Sequence, residues 1–128
     1  MAKIKISQLS IGDWVMYRDR EWQVCSLYKF TEEVGLWRKD GQICEYVADI
    51  EPIPLTPEIL EKNGLWVVEE DANFIECELF GSENFSIFHT KGTLRYRLET
   101  PQASVVCWSV HQLQHALRLA GVEKEIEV

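Results

Sequence analysis

The segment DIEPIPLTPEILEKNGL, residues 49–65, constrains the fold more than any other stretch, because few conformations are open to it. Pro52 and Pro54 fix φ and bar the residues before them from the helical region, so the chain must run extended there. Thr56 is then placed to cap a helix whose first position is Pro57, where a missing N–H costs nothing. Asn63-Gly64 supplies the stop, with glycine free to take the left-handed conformation past the helix end. A helix of about two turns does not stand alone. Ile59 and Leu60 must pin it to a core made by the flanking sequence.

Before this connector, the chain reads as short strands joined by tight turns. GDWVMY (12–17), WQVCSLY (22–28), VGLWR (34–38) and QICEYV (42–47) are rich in Val, Trp, Tyr and Ile, as strand surfaces prefer. RDRE separates the first two, and KDG (39–41) carries an Asp-Gly hairpin signal. So many short strands in about fifty residues predict a small, strongly bent sheet of the SH3-like barrel type.

After the connector the strand pattern resumes: LWVVEE (65–70), NFIECELF (73–80), NFSIFHT (84–90), TLRYRLE (93–99) and SVVCW (104–108). Ile75, Cys77 and Leu79 alternate with Glu76 and Glu78, and Leu94, Tyr96 and Leu98 with Arg95 and Arg97, the pattern of strands with one wet face. FGSENF (80–85) reads as a hairpin loop. The last element is a helix. Ser109 and Gln112 form a capping-box pair, Gly121 is the stop, and Leu113, Ala116, Leu117 and Ala120 make one apolar stripe. The predicted class is α+β: an SH3-like β-barrel lobe over 1–50, a Pro-rich connector and short helix over 51–64, and an antiparallel meander packed on one C-terminal helix over 65–128. The lobes either stand apart or share one core.

Composition excludes several functions. The 128 residues carry 46% hydrophobic side chains and five Trp, enough for a core without metal or disulfide. No apolar run reaches the ~18 residues of a membrane span, and no signal peptide opens the chain, so a cytoplasmic protein is expected. Cys25, Cys44, Cys77 and Cys107 are widely spaced with no CxxC, which predicts reduced, packed thiols. A net charge of −8, with the basic residues scattered, disfavours direct nucleic-acid binding.

His111 and His115, four apart on the terminal helix, have the spacing of a zinc pair. They fall opposite the apolar stripe with Arg118 beside them, a poor setting for a dication. Gln112 stands where a zincin needs its glutamate, and a third ligand would have to be Cys107 or His89. Two largely solvated histidines are expected, with no metal and no cofactor. Cys107 with His111 is the least poor nucleophilic pair, weighed against a buried core thiol. No P-loop, nucleophile elbow or dinucleotide fingerprint is present. Glu69-Glu70-Asp71 reads as a solvated charge run at a turn.

LSIGDWV (9–15), DIEPIPLTPEIL (49–60) and VHQLQHALRLAG (110–121), in that order, resemble a group of small proteins of Bacteroides-type gut bacteria and their prophages or mobile elements. The resemblance implies a bacterial, cytoplasmic, phage-related origin. It carries over no functional residue.

Three functions follow as expectations. The first is a non-catalytic binding or adaptor protein, because small β-barrels present aromatics to peptides and Trp14, Tyr17, Trp22, Tyr28, Trp37 and Tyr46 all precede residue 50. Trp14, Trp22 and Trp37 are the expected partner-binding residues. The second is an acidic decoy of a nucleic-acid-binding protein, and the third a small zinc- or Cys/His-dependent enzyme.

Overall fold

The computed structural model describes residues 3–79 and 85–128. Apart from Phe85, the hairpin loop expected over 80–85 lies outside the described residues. The chain forms two compact units, Met1–Ile53 and Pro54–Val128, so their boundary falls inside the Pro-rich connector. Each unit is built on one five-stranded antiparallel sheet, and the class is α+β.

In the first unit β1 (Trp14–Tyr17), β2 (Arg20–Tyr28), β3 (Glu33–Arg38), β4 (Gly41–Tyr46) and β5 (Glu51–Pro52) take the order β4-β3-β2-β1-β5. A single 3-10 turn, Val47–Asp49, precedes β5. The β1–β2 turn is tighter than the motif RDRE suggests. Tyr17 pairs with Arg20, and only Arg18 and Asp19 turn the chain, at φ 48° and 61°. Two successive positive φ values match the right-handed strand twist. Arg38 pairs with Gly41, so Lys39 and Asp40 make the next turn and the glycine opens β4. The Asp-Gly signal marks the hairpin but misplaces its tip by one residue.

The sheet is open, which corrects the barrel expectation. The strands β4 and β5 are its two ends, and β5 is only two residues long, one of them a proline with no N–H to donate. The inner face carries Val15, Val24, Val34 and Leu36, at most 2% exposed, with Ile50 beside them. Each contributes about 1.5–3 kcal/mol by leaving water.

The second unit opens with α1 (Pro57–Lys62). Thr56 caps it, its Oγ1 accepting from the Ile59 N–H at 3.2 Å, and Gly64 leaves it at φ 82°. The strands β6 (Leu65–Glu70), β7 (Phe74–Leu79), β8 (Ser86–Thr90), β9 (Tyr96–Glu99) and β10 (Ser104–Cys107) follow as a continuous meander, ordered β10-β9-β8-β7-β6. Register puts Ile75, His89, Tyr96 and Cys107 in one row on the inner face. Glu76, Phe88, Arg97 and Val106 form the adjacent row on the outer face. The expected alternation in β7 holds. In β9 it begins only at Tyr96, because Leu94 precedes the strand and is 52% exposed.

The closing helix, α2 (Val110–Leu119), starts at Ser109 in extended geometry, but the capping box does not form as expected. Ser109 Oγ lies 3.1 Å from His111 Nδ1 and makes no cap bond, while Gln112 Oε1 accepts from the Trp108 N–H at 2.8 Å. Leu113, Ala116 and Leu117 are buried, and Ala120 is exposed at the C-cap. The segment after Gly121 then folds back. Gln114 Nε2 donates to Lys124 O and its Oε1 accepts from Ile126 N, while Asn63 exchanges both possible bonds with the Glu127 backbone, at 2.7 and 2.8 Å. Ile126, 2% exposed, becomes a core residue. Among the described residues, no helix is long and apolar enough to cross a membrane.

Candidate functional site

Residues paired across an antiparallel ladder share a face, so the register of the first sheet reads out its outer surface in rows. One row is Trp14, Gln23, Trp37 and Gln42. The next is Ser26, Gly35 and Cys44, and the last Tyr28, Glu33 and Tyr46. The first and last rows carry aromatic rings, and the middle row carries only small side chains. Gly35 makes this possible: a Cβ there would meet Ser26 Oγ at 2.0 Å. Trp37 and Glu33 are four residues apart on β3, so the trough between the aromatic rows is about 13 Å wide.

The rings are open to contact. Trp37 is 40% exposed, Tyr28 51% and Tyr46 59%, and Phe30, at the tip of the β2–β3 hairpin, is fully exposed. Leu27, Tyr28, Phe30, Glu33 and Cys44 line a hollow of about 580 Å³ at that end of the trough. A lone exposed ring is ordinary, whereas here four stand on one face and its rim. Cys44 Sγ donates to Glu33 Oε2 at 3.5 Å, and partial desolvation together with that hydrogen bond pushes the thiol up. It is a poor nucleophile despite its exposure.

Of the three tryptophans singled out from sequence, Trp14 and Trp37 meet on this face, flanking Gln23. Trp22 does not. It pairs with Val15 on the inner face, packs against the core, and has the Arg38 guanidinium 5.2 Å from its ring centre. Adjacent positions in a strand point to opposite faces, and Trp22 precedes Gln23. Tyr17 is buried for the same reason, opposite Arg20 at the inner end of β1. Phe30 was missed from sequence. The signal was an aromatic inside the polar turn KFTEE, where a ring has no strand face to pack on.

Comparison with protein-family models, curated proteins and solved structures gives no match. The surface must be read from its own chemistry.

The histidine and cysteine candidates stand differently from the sequence reading. His111 is buried, 4% exposed, and His115 half-buried, so the expectation of two solvated rings is corrected. On the side of α2 that the helical wheel assigns to water, Gln114 bonds Lys124 and Ile126, and Arg118 bonds Glu125, of the chain after Gly121. His111 Nδ1 is engaged by Ser109, and the two imidazoles meet edge to face with centroids 6.0 Å apart. His89 stacks on Tyr96 at 4.2 Å and its Nε2 meets Thr93 O at 2.9 Å. Cys107 is fully buried, and burial pushes its thiol up to about 11, the reverse of activation. Cys77 is raised by burial and by Glu76. Among the described residues, no three His, Cys, Asp or Glu side chains are grouped to hold a metal ion. Asp71 is more than a solvated charge. Its Oδ1 accepts from the Asn73 and Phe74 N–H groups at 2.7 and 2.8 Å, which holds its carboxyl below the usual range.

Proposed function

We propose that the chain is a non-catalytic binding protein, an adaptor that holds a segment of another protein in the aromatic trough of its first sheet. The observation that carries this reading is the set of four exposed rings, Tyr28, Phe30, Trp37 and Tyr46, around a glycine-floored centre. Aromatic side chains supply large contact area with few rotors to freeze and are enriched among interface anchors. A four-strand meander, a 3-10 turn and a short fifth strand returning to β1 is a layout we read as SH3-like, opened at the β4–β5 seam. Peptide capture suits such a module. A bacterial cytoplasm and a prophage or mobile element are the setting we propose, on the resemblance carried by residues 9–15, 49–60 and 110–121.

The test compares the chain with a Tyr28→Ser, Phe30→Ser, Trp37→Ser variant in cross-linking from the native host. A partner held by the unsubstituted protein and lost by an equally folded variant supports the reading. A partner retained by the variant, with its cross-links elsewhere, rejects the trough.

A further inference from the structure

A cavity of about 310 Å³ lies on the inner face of the second sheet, between α1 and the strands. Pro57 and Leu60 of α1 form one side of it, and Leu65, Val67 and Ile75 of the strands form the other. Its volume is at the small end of ligand pockets, which run from about 300 to 1,000 Å³.

His89 sets a hydrogen-bonding ring in this apolar wall. Ladder pairing places it between Ile75 on β7 and Tyr96 on β9, and Tyr96 stacks flat on it at 4.2 Å. With a neighbour on either side, the ring meets the cavity by its edge. Nε2 lies 2.9 Å from the Thr93 carbonyl oxygen, which can only accept, so Nε2 carries the hydrogen. In the neutral ring Nδ1 is then an acceptor. It is buried and has no hydrogen-bond partner among the described residues.

Buried acceptors are nearly always satisfied, so an orphan marks a place where a partner belongs. Water suits this place poorly, because a buried water needs roughly two to four polar partners and Nδ1 is one. An anion suits it no better. The charged residue on the wall is Glu61, which is exposed and repels a carboxylate. What fits is an uncharged molecule, apolar over most of its surface, with one O–H or N–H to donate.

We propose that this cavity binds a small, uncharged apolar molecule of the phenol or indole type. Its single donor bonds His89 Nδ1, and its hydrocarbon body lies against Leu60, Val67 and Ile75. The trough of the first sheet has no part in this, so either proposal can fail alone.

The experiment titrates the isotope-labelled full chain with indole and, separately, with indene, which has the same two fused rings and no N–H. Indole should move the methyl signals of Leu60, Leu65, Val67 and Ile75 saturably and shift the His89 Nδ1 resonance. It should bind on the order of fivefold more tightly than indene, the margin that one hydrogen bond supplies. A His89→Phe variant keeps a ring to stack on Tyr96 and loses the acceptor, so it should bind the two molecules equally. If that variant does not fold, the comparison of indole with indene on the unsubstituted chain decides alone. Equal affinity of the two for the unsubstituted chain, a preference for indole that survives in His89→Phe, shifts confined to the first sheet, or a hydrogen found on Nδ1 would each overturn the proposal.

Discussion

Asn63 ends α1, and its position before Gly64 accounts for that from sequence alone. Its buried amide has a second task, which is to bond the backbone of Glu127 in both directions across a sequence distance of sixty-four residues. Asn63→Ala should therefore cost far more than a helix C-cap, about 2–4 kcal/mol, because two backbone groups lose their partner. Urea denaturation measures this directly. His111→Ala should likewise cost about 1–3 kcal/mol, where a solvated histidine would cost under about 0.5. The inner row of the second sheet also makes a pH prediction. Burial raises Tyr96 to about 12 and Cys107 to about 11, from ordinary values of 10 and 9. Both groups are favoured neutral in the fold, so their contribution is complete below about pH 9 and is lost as pH climbs toward 12. The denaturation midpoint should fall across that window, and Tyr96→Phe should make the fall shallower. A midpoint unchanged up to pH 11.5 would contradict the burial.

At the scale of elements, α1 was legible to the residue, because Thr56, Pro57 and Gly64 each act through local backbone chemistry. The strands other than β5 were legible in place and approximate length, because alternation is also local. Strand β5 was read only as part of the extended connector, since its pairing with β1 is not local. What was not legible depends on distant partners. The sequence cannot show that Trp22 and Gln23 divide between faces in the sense observed, since that sense is set by the register with Val15 and Trp14. Nor can a helical wheel show that residues 124–126 bond the second side of α2. The exposed Phe30 escaped notice because turns are read for what bends the chain and not for what they display. The helix itself yields a prediction: Leu117→Ala, at 1% exposure, should destabilise the second unit by about 2–5 kcal/mol. Removing residues 124–128 should expose α2 and lower the stability of the same unit, read as faster hydrogen exchange in β6–β10 and in α2. Unchanged exchange there would remove the covering role of the segment.

At the scale of the molecule, charge is unevenly divided. Six of the eight excess negative charges belong to residues 54–128, and the first unit is near neutral. Duplex DNA at physiological salt should therefore bind no more tightly than the micromolar non-specific range, and a titration by fluorescence anisotropy checks this. The bonds from Asn63 and Gln114 to residues 124–127 have one more consequence, for the time order of synthesis. A ribosome delivers the chain from its N-terminus, and every strand of the first unit is complete by Pro52. That unit can close while most of the second is still unmade. The second unit lacks its bonds from Asn63 and Gln114 until Glu127 has left the exit tunnel, so it gains its full stability later than the first.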